Sequence, residues 1–335
     1  MQKGYDDLVE ESPQGSVFAT SWWLDAVAEG RWRSNAVEDD GEVAAAWPTV
    51  IRATRWGDVH EGAPLTPFLG PLFRSEASDL KRRSNEVKRL EQLVAAFGSA
   101  AHVEARCNPA FDYWTPLSWH GFTQTTHYTW RLPELSDLDE VLGNARAVRP
   151  EIRKAEKRGV EVVEGSLADF QAVHSETVEH QQIEDAARNR LALQRIDAAA
   201  ASRDARFILL ARDADGAVHA GGYFVRDGRW IYYLVGASDP SLRSSGASSL
   251  LLWKAIERAS GLELGFDFEG SMLQGVEHFF RSFAGVPTPY SIVRSTPSRA
   301  LRVERPVKRV VREALGSSPI RAIRRPRGRS DPDRP

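Results

Sequence analysis

Two short stretches of this chain echo each other. Asp40-Gly41-Glu42-Val43-Ala44-Ala45 and Asp215-Gly216-Ala217-Val218-His219-Ala220 share the pattern D-G-x-V-x-A, each inside a segment that reads as a hairpin. An Asp-Gly pair between two alternating runs is a strong hairpin signal, because the tight turn requires positive φ and these residues accept it. A repeated hairpin suggests two similar α/β units joined near residue 145. Asp-Gly turns between strands are common, however, so coincidence and duplication are both open on this pattern alone.

The length is compatible with duplication. A chain of 335 residues that is 42% hydrophobic can bury a sizeable core, and about two domains are expected. The formal net charge is −2, which argues against bulk nucleic-acid binding by the whole chain. It is unevenly spread: from Pro297 onward 12 Arg and Lys face 4 Asp and Glu, a net of +8, which leaves −10 for residues 1–296. The one cysteine, Cys107, excludes an intrachain disulfide and a Cys-rich zinc site. His174 and His180 are six apart, not the spacing of a helical zinc pair, and no metal is expected. The N-terminus, MQKGYDDLVEESPQGS, has no apolar core of a secretory signal, and no run is long enough to span a bilayer. A cytoplasmic protein is expected, at most held at the inner face of the membrane.

Along the chain, VFATSWWLDAVAEG reads as a short helix capped by Ser21. SNAVEDDGEVAAAWPTVIRA forms two strands around Asp40-Gly41. PLTPFLGPLF is an ordered loop, since Leu65, Phe68, Leu69 and Leu72 give it much to bury. SDLKRRSNEVKRLEQLVAAFGS is an amphipathic helix, followed by the strands HVEARCNP and HYTWRLPE. A helical stretch around Pro150 stops at Gly159. GVEVVEG opens a second unit, with two helices between 167 and 202 and the strands ARFILLARD, AVHAGGYFVRDG and RWIYYLVGASD. The helix ASSLLLWKAIERASG, strand LELGFDFEG, helix VEHFFRSFAG and strand PYSIVRS complete it. The expected domains are residues 1–145, 146–296 and a basic C-terminal segment, 297–335.

Three places carry groups suited to chemistry. In the strand Leu262–Glu269, Leu262, Leu264, Phe266 and Phe268 take one face, and Asp267 and Glu269 share the other. If that side meets a cleft, mutual repulsion raises the pKa of one carboxyl and makes it a usable general base; otherwise both are solvated or one pairs with an Arg. After Gly270, Ser271 and Gln274 fit a capping box, and Val276, Phe279, Phe280 and Phe283 form a buried helical face. His278 and Arg281 fall on the far side. The second place is Asp239–Ser249, DPSLRSSGASS, either a phosphate-binding loop at a helix N-terminus or a polar turn. The third is the basic run from Arg146 to Gly159, either a phosphate-holding patch or a solvated face partnered by Glu151 and Glu156. At the C-terminus, Val303, Val307, Val310, Val311 and Ala314 line one side of a basic amphipathic helix, suited to a membrane surface, an anionic partner or docking on the protein itself. The segment after it is Pro- and Arg-rich and is expected to be disordered.

Five motifs in order, WWLDAV, PLTPFLGPLF, NPAFDYWTPLSWHGFTQTTHYTW, RPEIRKAEKRGV and FDFEGSMLQGVEHFFRSFAG, resemble bacterial FemAB-like proteins of the GNAT acyltransferase superfamily, in the branch usually labelled BioF2-like acetyltransferases. The resemblance spans residues 15–295. It implies an α/β (α+β) fold of two tandem GNAT-like units, each a mixed, mostly antiparallel sheet flanked by helices. It also implies acyl transfer to an amine, from acyl-CoA as in ordinary GNAT enzymes or from aminoacyl-tRNA as in peptidoglycan-branching Fem enzymes. Acceptors in such families are cell-wall precursors or polysaccharide amino sugars, small or lipid-linked.

Residue by residue, RKAEKRG resembles the Fem segment whose basic residues meet acceptor phosphates or donor, which points to Arg149, Arg153 and Lys154 for substrate. FFRSFAG resembles the Fem F-K-x-x-F-G segment with Arg281 in place of its important Lys; an Arg is no general base near neutrality but can steady negative charge. Arg243-x-x-Gly246-x-Ser248 resembles the GNAT pyrophosphate loop with Ser at its last position, which assigns Arg243, Ser245, Gly246, Ala247 and Ser248 to the donor. The long helical-hairpin arm of some Fem enzymes has no counterpart in the short helices near 167–202. The expected scheme has Asp267 or Glu269 taking the acceptor's proton, Arg281 and backbone N–H groups holding the oxyanion, and Cys107 dispensable. The alternatives are an aminoacyl-tRNA-dependent peptidoglycan transferase and a non-catalytic envelope-assembly module.

Overall fold

The computed structural model describes residues 2–75, 79–181, 186–270 and 274–303. The first half contains helices α1 (Gln2–Glu11) and α2 (Ser21–Ala28), strands β1 (Trp32–Asp39), β2 (Glu42–Thr54), β3 (Gly57–Glu61) and β4 (Leu72–Phe73), then α3 (Asp79–Ala95), β5 (His102–Arg106), α4 (Thr115–Trp119) and β6 (Thr123–Leu132). Helices α5 (Leu138–Asn144) and α6 (Val148–Lys157) and strand β7 (Glu161–Glu164) connect to the second half. That half contains α7 (Leu167–Gln181), α8 (Ala186–Ala201), β8 (Arg206–Arg212), β9 (Val218–Arg226), β10 (Trp230–Ser238), α9 (Ala247–Gly261), β11 (Gly265–Asp267), α10 (Gln274–Arg281) and β12 (Val286–Ser295).

All the strands join one sheet, ordered β1-β2-β3-β5-β12-β6-β11-β10-β9-β8-β7, with β4 paired to β2. Apart from β4 and the edge strand β7, this order is a palindrome about the β12–β6 pair. Strands β1, β2, β3, β5 and β6 of the first half correspond to β8, β9, β10, β11 and β12 of the second. Each half has an antiparallel meander, then a helix (α3 or α9), then a strand parallel to the meander's third. The last strands are exchanged: β6 pairs with β11, β12 with β5, and β6 with β12 from Val286↔Arg131 to Arg294↔Thr123.

The repeated hairpin takes its place in this symmetry down to a single bulge. Val43 faces Glu38 and Ala45 faces Val37, which leaves Ala44 as the extra residue. Val218 faces Arg212 and Ala220 faces Ala211, which leaves His219. Both are the fifth residue of D-G-x-V-x-A. Bulges are specific, retained features of a sheet, so a common bulge at the common position, within the mirrored strand order, favours duplication over coincidence.

The second half is covered on both faces. Val148 and Ile152 of α6, Leu251 and Ile256 of α9, and Phe280 pack with Phe224, Ile231, Phe266 and Phe268 on one side. Trp23 and Val27 of α2, Phe170 of α7, and Leu193 and Ile196 of α8 pack with Ile208, Leu210, Tyr223 and Tyr232 on the other. Val276 and Phe279 lean on the first cluster while Phe280 and Phe283 are buried in it, as their spacing predicts.

Several local expectations are corrected. Helix α1 was not anticipated: its stripe Tyr5, Leu8 and Val9 is buried but sits in an acidic context. Ser21 is the first residue of α2 rather than its cap, and its N–H and hydroxyl both donate to Asp6. Strand β11 is shorter than the expected strand over 262–269. Leu262 is the C-cap of α9 and 44% exposed, and Glu263 turns the chain at φ 57°. Ser271 and residues 304–335, with most of the expected basic helix, lie outside the described residues.

Candidate active site

Strands β10 and β11 run parallel for three pairs, the last being Tyr232↔Asp267. Beyond it β10 continues to Ser238 while β11 ends, so the two part. Sheets of this kind receive ligands where the carboxyl ends of parallel strands open in this way. Leu234 and Glu269 each stand two residues past the last pair, and both line a cleft of about 170 Å³ with Phe68, Arg106 and Tyr290. Leu234 is itself a bulge, since Tyr233 faces Phe224 and Val235 faces Tyr223. The extra residue ends regular pairing and re-aims the strand toward the cleft.

The two carboxyls expected to act as a pair are separated by their surroundings. Asp267 is fully buried. Thr129 Oγ1 and the Glu269 N–H (2.8 Å) donate to its Oδ1, and Arg131 Nε donates to Oδ2 at 2.7 Å. Arg131 is buried as well, its guanidinium 4.3 Å from the Trp230 ring centre and 5.8 Å from that of Phe68. Asp267 is therefore an internal anchor, paired with an Arg as one of the two sequence readings had it. Glu269 is different. Its φ of 58° is the left-handed region, which a Glu occupies only where its surroundings hold it there. Its Oε1 is enclosed and has no hydrogen-bond partner. Burial first, then the negative charge of Asp267, pushes its carboxyl well above the usual carboxylate range, and Arg106 opposes this. Gly270 is required next: a Cβ there would lie 2.0 Å from the Tyr128 carbonyl oxygen, so only glycine lets the turn press against β6.

The PLTPF loop forms one wall. Trp23 Nε1 donates to Thr66 Oγ1 at 3.0 Å, and that hydroxyl donates to the Pro64 carbonyl at 3.0 Å. Phe68 meets Tyr290 edge-on at 5.2 Å. Burial raises the Tyr290 phenol, and burial with Arg106 and Arg294 lowers the neighbouring His127 imidazole. Both groups are thus held toward their neutral forms.

Arg281 does not join this cleft. It is exposed on α10, 3.3 Å from Glu277 and 3.1 Å from His278 Nδ1. The expected donor loop and the expected substrate patch do come together. Gly246, at φ 86°, sits so close under α6 that a Cβ would lie 2.2 Å from the Glu151 carbonyl oxygen, and Arg158 Nη1 donates to the Ser244 carbonyl at 3.3 Å. Arg149, Arg153 and Arg243 are exposed, and Lys154 pairs with Glu151 at 3.1 Å. Ser245 and Ala247 are buried, and the Ala247 N–H donates to Ser245 Oγ, so that amide is already engaged. Strand β10 links the two places, running from Leu234 in the cleft to Ser238 and on into this loop.

Residues 144–281 match the family model described as acetyltransferase (GNAT) domain, a span containing Arg149, Arg243–Ser248, Asp267, Glu269 and Arg281. Among solved structures, FemX superposes with a TM-score of 0.65 at 15% identity, over 87% of this chain and 95% of that one. The C-terminal domain of a lysylphosphatidylglycerol synthetase from Agrobacterium fabrum gives 0.57 at 14%, over 87% and 91%. A tandem GNAT protein from the clavulanic acid pathway gives 0.50 at 11%, over 88% and 93%. No curated protein matches in sequence. Residues 144–281 thus resemble a GNAT acetyltransferase domain, and the chain as a whole has the fold of the Fem-type and tandem GNAT structures.

Sequence reasoning missed Arg106, Leu234 and Tyr290. They come from three strands that only the exchange of β6 and β12 brings together, and no local pattern marks them. It also missed Arg131, which reaches Asp267 from the other half. Arg131→Leu leaves the buried Asp267 charge without its counterion, and a loss of about 3–5 kcal/mol is expected from urea unfolding.

Proposed function

We propose that the chain transfers an acyl group from acyl-CoA to the amine of a cell-envelope precursor or amino sugar, with Glu269 as general base. The observation that carries this reading is the half-buried Glu269 carboxyl: enclosed and unpartnered at Oε1, raised in pKa and set in the cleft where β10 and β11 part. Such a carboxylate is a stronger base than a solvated one. The acceptor ammonium gives it a proton, directly or through one water. The amine nitrogen then attacks the thioester carbonyl, and collapse of the tetrahedral intermediate breaks the C–S bond, with CoA leaving as the thiolate and taking up the extra proton that the nitrogen gives up. Arg106 and the N–H groups of β10 beyond Tyr232 are better placed for the oxyanion than Arg281. Arg149, Arg153, Lys154 and Arg243 form one basic surface beside the N-terminus of α9, suited to the donor's phosphates. Cys107 is buried, and burial raises its thiol pKa, which favours direct transfer over an acyl-cysteine. Support for a lipid-linked acceptor comes from the structural likeness to a synthetase of lysylphosphatidylglycerol, itself a lipid.

Thermal-shift and native mass measurements with acetyl-CoA, longer acyl-CoAs and aminoacyl-tRNA test the donor. An acyl-CoA at about 100 times its Kd is expected to stabilise the protein by about 2.7 kcal/mol, with Arg243→Ala weakening the effect. Stabilisation by aminoacyl-tRNA alone would replace the donor, and no effect from any of them would remove the enzymatic reading.

A further inference from the structure

The turn between β2 and β3 carries Arg55-Trp56. Trp56 is 42% exposed, with the Arg55 guanidinium 4.6 Å from its ring centre. The start of the C-terminal helix lies beside this turn. Gly57 is so close to Ala101 that a Cβ would sit 3.2 Å from Ala101 Cβ. The Ala101 carbonyl accepts the Ser298 N–H at 3.4 Å, and Leu301 is buried with Val59 and Ala101. Residues 299–303 are helical, with Arg299, Arg302 and Val303 exposed, Val303 at 67%. This side of the protein thus displays Trp56 with Arg55 over it and, on the helix start that docks beside the turn, Val303, Arg299 and Arg302. Asp58 is also exposed there, while Glu61 is paired with Arg52 at 3.1 Å. From Glu304 to Pro335 the sequence adds 10 Arg and Lys against 4 Asp and Glu, while residues 1–296 carry a net −10.

We propose that this patch seats the protein on an anionic lipid surface. Trp56 and Val303 enter the interfacial layer, and Arg299 and Arg302 meet headgroup phosphates. Charge alone would suit nucleic acid equally, but the exposed Trp56 and Val303 beside these arginines favour a surface with an apolar layer beneath its phosphates. Strands β3 and β5 both start at this patch, and each spans five residues, about 17 Å, to the cleft side, where the PLTPF loop and Arg106 stand.

The test is sedimentation of the full chain with vesicles of phosphatidylcholine alone or with one third phosphatidylglycerol. Binding is expected only to the anionic vesicles and should fall as salt rises. Arg299→Ala and Arg302→Ala should each weaken it about fivefold. Trp56→Ala should weaken it several-fold with no change in melting temperature. Equal binding to both vesicles, no binding, or wild-type binding by Trp56→Ala would overturn the proposal. So would retention on tRNA without vesicle binding, which would make the patch a nucleic-acid surface. Vesicle binding needs neither donor nor turnover, so its failure leaves the acyl-transfer reading standing, and the reverse.

Discussion

Glu269→Gln is expected to lower kcat by about 10²–10⁴-fold and yet to raise the melting temperature at neutral pH. The two effects have one cause. Burial and the charge of Asp267 hold the Glu269 carboxyl well above its ordinary range, so the folded protein keeps a proton that the unfolded chain has released. Where the folded state binds more protons, stability falls as pH rises. Wild-type stability therefore declines from the ordinary carboxylate range up through the raised Glu269 value, and Gln removes that decline. Activity runs the other way. The base must be ionised, so kcat/KM should drop as pH falls through the raised value, at a pH above that of a solvated carboxylate. The variant should lack this limb while binding donor as before. Retained activity would exclude Glu269 as the base, and a lower melting temperature at neutral pH would overturn the raised carboxyl. A strained, desolvated group that makes the fold less stable and the chemistry faster is a recurring mark of active sites.

How much of this was legible follows from the range of each interaction. The hairpins at Asp40-Gly41 and Asp215-Gly216 and the Phe280 face of α10 were readable because their signals repeat within a few residues. The same alternation put Asp267 and Glu269 on one side of a strand. It could not distinguish them, because what distinguishes them lies far away in the chain: Thr129 and Arg131 anchor Asp267 from β6. The two residues following a last paired position, Leu234 and Glu269, became cleft residues only because β10 and β11 separate there. Arg281 is the opposite case. A motif resemblance pointed to it, but its place on α10 is exposed and its partners are Glu277 and His278. Helix α1 was hidden by the weight of charge around three apolar residues.

Residues 1–145 and 146–335 expressed separately are expected to show no cooperative unfolding, although each holds one copy of the duplicated unit. The reason is the strand exchange. Without the second half, β6 loses both neighbours, β11 and β12, and β5 loses β12 along one edge. Without the first half, β12 has no strand beside it, and β11, only three residues long, keeps β10 alone. Arg131 and Asp267 would each be left without its counterion, a situation that costs about 3–5 kcal/mol when such a pair is buried. The N-terminal segment adds further ties: the Val17 N–H donates to Asp227 at 3.1 Å, and Arg229 donates to the Ser12 carbonyl at 3.0 Å. Sheet fragments that lose their central partners expose unpaired edges and seldom fold alone. The two pieces produced together should copurify, and the intact chain should melt in one transition with calorimetric and van't Hoff enthalpies equal. A cooperative melt of 146–335 alone would show that the exchanged strands add contacts without joining the halves. The catalytic consequence would then also change, because the cleft takes Arg106 and Phe68 from one half and Leu234 and Glu269 from the other.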